Sequence, residues 1–190
     1  SAGATTGTAS FTPTDDSVYE GNETGIVAIS TVSGGSATED GTQSVTITIT
    51  ENESSPTVTL TTSDTSIAEN SGSTLTLTAT ISQAADEDVT VNLGAAGTST
   101  NGTDYGSISS ITVSAGATTG TATFDPTDDS VYEGSETAVI SISSVSGADA
   151  VESGSQSVTI TITDNESAPT VTLAVSAISI AENAGSSLTL

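Results

Sequence analysis

The sequence predicts an all-β chain of tandem, seven-stranded antiparallel sandwiches of immunoglobulin type. Three observations carry this: β-branched residues alternate with period two, a long segment recurs, and no stretch has a helical period. Ser1–Leu77 aligns without a gap onto Ser114–Leu190, with 56 identities in 77 positions. The offset of 113 residues is too long for one turn of a solenoid and fits a whole sandwich domain. It divides the chain into residues 1–55, the C-terminal half of one repeat; 56–168, a complete repeat; and 169–190, the first strands of a third. Pro56 and Pro169 mark the two boundaries, each in a Ser-rich junction.

Within the complete repeat, Thr57–Thr61 is the opening strand. The second, Ser73–Ser82, reads STLTLTATIS, which puts Leu75, Leu77, Ala79 and Ile81 on one face and Thr74, Thr76, Thr78 and Thr80 on the other. Asp88–Leu93, Ser109–Val113, Thr119–Phe124, Thr137–Val145 and Ser155–Thr163 follow, with turn signals between them. Substitutions between the copies agree with this frame. Val27 becomes Ile140 at a core position, whereas Asn22 becomes Ser135 in a loop.

Charge narrows the function. The chain has 24 acidic residues and no Lys, Arg or His, a net charge of −24. No salt bridge can form. Nucleic acid and anionic membrane surfaces are excluded as partners, since both need Lys or Arg against phosphate. With no Cys there is no disulfide, thiolate nucleophile or zinc–thiolate site. No apolar run approaches membrane-spanning length, so direct membrane insertion is not expected. Nor is catalysis. A base or nucleophile of the His, Cys or Lys type is absent, and the acids recur at equivalent positions of repeated domains, whereas a catalytic carboxylate pair is unique in a chain.

The acids are sorted in space. In a seven-stranded sandwich the connections after the first, third and fifth strands share one end with the close of the seventh. Glu69 lies in the first of these, Asp104 in the second, Asp128, Asp129, Glu133 and Glu136 in the third, and Asp164 and Glu166 follow the last strand. Two carboxylates about 5 Å apart repel by roughly 0.8 kcal/mol even at the dielectric of water. Several such pairs would erode a marginally stable domain. A divalent cation reverses the sign, and many hard oxygen ligands without imidazole or thiolate select Ca²⁺.

Four motifs in order, SIAEN (Ser66–Asn70), NGTDYG (Asn101–Gly106), DDSVYEGSET (Asp128–Thr137) and ITDNES (Ile162–Ser167), resemble Calx-beta repeats. These occur in the regulatory part of sodium–calcium exchangers and in tandem in large bacterial surface proteins. The resemblance covers the whole chain and implies a β-sandwich that binds Ca²⁺ at one tip. The ligands it implies are Glu69, Asp104, Asp128, Asp129, Glu133, Glu136 and Asp164 in the complete repeat, with Glu166 beside them. In the first repeat they are Asp15, Asp16, Glu20, Glu23 and Glu51, with Glu53 as the counterpart of Glu166, and in the third Glu182. Two departures touch the number of ions: Asp164 stands where the first copy has Glu51, and Asn52 and Asn165 interrupt the final acidic run.

Other features have plainer readings. Asp86, Glu87 and Asp88 form a solvated turn at the opposite end, facing the preceding repeat's tip. Tyr19 and Tyr132 stand where sandwich domains keep a tyrosine corner. The triplets beginning at Asn22, Asn52, Asn101 and Asn165 read as turns rather than glycan sites. The expectation is an extracellular or cell-surface structural or adhesive module, with calcium ions, neighbouring repeats and other copies in a fibre or matrix as partners. A calcium-sensing regulatory module is the alternative. High identity between copies favours the first, because a stalk needs many equivalent domains and a sensor one tuned domain.

Overall fold

Alternating Leu and Thr residues produce the face they predict: Leu75, Leu77, Ala79 and Ile81 are all buried and the threonines between them are not. The computed structural model describes residues 3–183, 185 and 187–189. Its strands are β1 (Glu23–Ala28), β2 (Ser44–Ile49), β3 (Thr57–Thr62), β4 (Ser66–Ala68), β5 (Leu75–Ile81), β6 (Val89–Gly97), β7 (Ser110–Val113), β8 (Thr119–Phe124), β9 (Glu136–Ser146), β10 (Val151–Glu152) and β11 (Ser157–Thr163). The complete repeat is a sandwich of a four-stranded sheet, ordered β10-β3-β5-β8, and a five-stranded sheet, ordered β4-β11-β9-β6-β7. Its core is aliphatic around one aromatic pair, Tyr105 and Phe124, stacked at 4.6 Å.

The seven expected segments coincide with β3, β5, β6, β7, β8, β9 and β11, and two short strands add to them. The opening strand changes sheets. After β3, Thr62 Oγ1 donates to the Asp64 carbonyl and the Thr65 amide donates to Asp64 Oδ1, so local bonds replace the ladder and turn the chain. The continuation, β4, pairs in parallel with β11, and β10 pairs in parallel with β3. Strands of two and three residues are too short to carry a period, so the alternation could not reveal them.

The first repeat reproduces the hairpin of the complete one. Glu23 pairs with Ile49 and Ala28 with Ser44 in β1–β2, as Glu136 pairs with Ile162 and Ser141 with Ser157 in β9–β11. Burial differs, as β1–β2 stands as a separate two-stranded sheet among the described residues: Ile140 is fully buried, whereas its counterpart Val27 is 47% exposed. Beyond residue 168 the described residues form no strand. Even so, the Ser176 amide donates to the Thr189 carbonyl, repeating the bond from Ser63 to Thr76 one period earlier.

Gly120 sits where β8 passes β7. A Cβ there would lie 2.2 Å from the Thr112 carbonyl oxygen, a backbone atom that cannot swing aside. Gly94 would meet only ordinary contacts, the nearest at 3.5 Å. Gly120→Ala should therefore destabilise the chain by about 1–3 kcal/mol, and Gly94→Ala should be tolerated. Chemical denaturation of the two variants checks the contrast.

Candidate metal centre

The tip is assembled from four loops. A three-residue 3₁₀ turn, Glu69–Ser71, closed by the left-handed Gly72, places Glu69 below the surface, 8% exposed. The β8–β9 loop brings Asp128 and Glu133, and β9 opens with Glu136. Asp104 comes from the connection between β6 and β7, where its Oδ2 accepts the Thr100 amide at 2.6 Å. Glu166 follows β11. Two trios result, each with carboxylate oxygens within 4.8 Å of one another: Glu69, Asp128 and Glu166; and Asp104, Glu133 and Glu136.

Asp164 is held by backbone amides. Its Oδ2 accepts the amides of Glu133, at 2.6 Å, and Gly134, and its Oδ1 accepts that of Glu166 at 2.6 Å. It ties the β8–β9 loop to the end of β11 and belongs to neither trio. Glu51 repeats this in the first copy, accepting the amides of Glu20 at 2.6 Å, Gly21 at 2.8 Å and Glu53 at 2.9 Å. Asp129 and Asp16 likewise serve their own turns, accepting the Val131 amide at 2.7 Å and the Val18 amide at 2.8 Å.

The first copy gathers Asp15, Asp16, Glu20, Glu23, Glu51 and Glu53 around one cleft. By the 113-residue offset, Asp15 and Glu53 match two members of one trio, and Glu20 and Glu23 two members of the other. Glu182, the third-repeat counterpart of Glu69, lies exposed on a turn and joins no cluster among the described residues.

Sequence reasoning missed the amides that build the loops. The glycine after each Tyr-Glu pair, Gly21 and Gly134, donates to the anchoring carboxylate, and Asn22 Oδ1 accepts the Glu51 amide at 2.9 Å. Asn101 is a turn residue, as expected: its side chain donates to the Ile108 carbonyl and accepts the Ile108 amide, both at 3.0 Å.

With no cation in the chain, protons are left to relieve the repulsion. A side-chain hydrogen bond to Glu69, then desolvation and Asp164, push Glu166 up to about 7. Desolvation raises Glu133 and Glu136 as well, and the Asp104 charge adds to both. Desolvation acts upward on Asp164 too, but the amides of Gly134, Glu166 and Glu133 outweigh it and leave that group below its ordinary value. In the first copy, amides led by that of Glu53 lower Glu51 to about 2. The trios fit a hard divalent cation. All their donors are carboxylate oxygens, and one of them, Glu166 Oε2, is buried without any hydrogen-bond partner.

Residues 54–165 match the LapA domain family, and residues 1–53 match the Calx-beta domain family. Among solved structures, the chain is similar to the apo-form Calx CBD1 domain, with 16% identity and a TM-score of 0.47 over 59% of this chain and 99% of that one. It is also similar to CBD12 from CALX1.2, with 19% identity and a TM-score of 0.43 over 51% of this chain and 39% of that one. For the calcium binding domain CBD12 of CALX1.1 the values are 18% and 0.45 over 55% and 45%. The chain thus spans less than half the length of these last two. No curated protein matches it.

The raised Glu166 has a measurable consequence. The folded chain holds that proton more tightly than the unfolded chain, so its stabilisation is complete below the ordinary glutamate range and is lost as pH rises through about 7. In excess chelator the melting temperature should fall between pH 5 and pH 8, and Glu166→Gln should flatten the fall. Melting curves across that range, with and without the substitution, decide it.

Proposed function

Because the chain belongs to the LapA domain family and opens with a Calx-beta domain, we propose that it is a calcium-binding structural or adhesive module. The observation that carries this reading is the repetition of one acidic constellation, with the same loop-anchoring hydrogen bonds, 113 residues apart in a chain without Lys, Arg or His. Glu69, Asp128 and Glu166 would hold one ion, and Asp104, Glu133 and Glu136 a second. Asp129 and Asp164 shape the loops around them. Bound Ca²⁺ supplies charge that the chain lacks, so four loops that repel one another become one rigid tip. Tandem copies would then act in series as a stalk, fibre or matrix segment. The setting we propose is extracellular or at the cell surface, where modules of about 10⁻⁴–10⁻³ M affinity are loaded. No step of this function requires catalysis.

A ligand bound only by the folded state stabilises it by about 2.7 kcal/mol at a hundredfold excess over Kd. Millimolar Ca²⁺ should therefore raise the melting temperature over that in chelator, and equal values would end the calcium reading. A shape change confined to a single repeat on adding Ca²⁺ would mark a sensor in place of a stalk.

The two roles of the acids separate by substitution. Asp128→Asn or Glu136→Gln should weaken calcium binding at least tenfold in calorimetry, and Asp40→Asn, in the β1–β2 connection at the far end of the sheet, should leave it unchanged. Equal losses in all three would mean diffuse attraction without a defined site.

A further inference from the structure

We propose that the base of each repeat is a docking surface for the tyrosine at the tip of the repeat before it, and that Tyr132 is the same plug presented to the next copy. This deepens the reading of the chain as modules in series and rests on it. The observed joint is built around Tyr19. Its amide donates to the Ala84 carbonyl at 2.9 Å, and its own carbonyl accepts the Asp86 amide at 3.1 Å, which makes a parallel bridge with Ala85. Its hydroxyl donates to Asp149 Oδ2 at 2.8 Å. The ring is half-buried and packs against the core of the complete repeat. A tyrosine corner bonds within one domain, so this side chain departs from the expectation drawn from its position.

The receiving surface is built for the contact. Ala85, Ala148 and Ala150, all buried, lie in the two loops that meet the ring. The Gly116 amide donates to the Ala85 carbonyl at 2.8 Å and so holds the first loop in place. The second loop turns with Ala148 at φ 50° and Asp149 at φ 48°, and the Ala150 amide closes it onto the Gly147 carbonyl at 2.9 Å. That conformation is unfavourable for Ala, and it sets the carboxylate that accepts the tyrosine. The linker is knitted into the same base, with Gln83 donating to the Ser54 carbonyl and the Val151 amide donating to the Pro56 carbonyl at 3.0 Å.

Charge complementarity cannot join these surfaces. Glu20 faces Asp86 across the joint, and neither side owns a cation. Main-chain hydrogen bonds, one hydroxyl and an apolar ring are what remain. Tyr132 occupies the identical setting, Ser-Val-Tyr-Glu-Gly, at the tip of the complete repeat. It is 46% exposed and makes no hydrogen bond among the described residues. The partner that fits it is a further copy of Ala84–Asp86 and Asp149.

Amide hydrogen exchange on this chain tests the joint. The Tyr19 and Asp86 amides should be protected. Tyr19→Ala should speed exchange at Asp86 at least tenfold while the Leu77 amide, in the core, is unchanged. Tyr132→Ala should leave all three alone. When a second copy of residues 78–190 is appended after Leu190, the Tyr132 amide should slow at least tenfold. Unprotected Tyr19 and Asp86 amides in the parent chain would overturn the proposal, as would a Tyr132→Ala effect on the Asp86 amide equal to that of Tyr19→Ala. Protection that persists when calcium binding fails would leave the joint standing and remove only the metal reading.

Discussion

Every carboxylate in this chain must be satisfied without a positively charged side chain, and the structure follows from that constraint. Backbone amides answer for some acids: Asp164 and Glu51 collect three or more each. Glu166, crowded by Glu69 and Asp164, is pushed up to about 7. The two trios keep oxygens crowded within 4.8 Å, one of them with no partner at all. Such crowding of like charges is costly and becomes favourable once a divalent ion enters.

The fold was largely legible, for a simple reason. Strands such as β5 and β11 alternate strictly between a buried and a wet face, so period two is written into them. The sheet-switching strand β4 and the edge strand β10 were not legible, because three residues or fewer hold no period and their pairing is set by distant partners. The tip was legible as a group, since loop alternation in a sandwich sends acids at 69, 104, 128–136 and 164–166 to one end. Its division of labour was not. A carboxylate that anchors amides and one that waits in a cluster look alike in sequence, as Asp164 and Glu136 show.

Tyr19 illustrates a different limit. Position within its own repeat suggests a local corner, but its partners lie some 65 and 130 residues onward, at Ala84–Asp86 and Asp149. Only the spatial meeting of two repeats assigns it. The repeat itself nevertheless carries the signal once the joint is known, because the same pentapeptide recurs at Tyr132.

The parallel pairing of β4 with β11 has a mechanical consequence. The chain enters the complete repeat through β3, continues directly into β4, and leaves through β11. In a tandem array of the kind proposed, tension would pull β4 and β11 in opposite directions along their common axis. The pairs Thr161–Ser66, Ile162–Ile67 and Thr163–Ala68 are then loaded in shear, all at once, where a hairpin pulled from its open end would unzip one bond at a time. Glu69 follows β4 directly and Asp164 follows β11, so the acidic tip sits at the shared end of the two force-bearing strands. An ion held there would work as a rivet through the patch that carries the load.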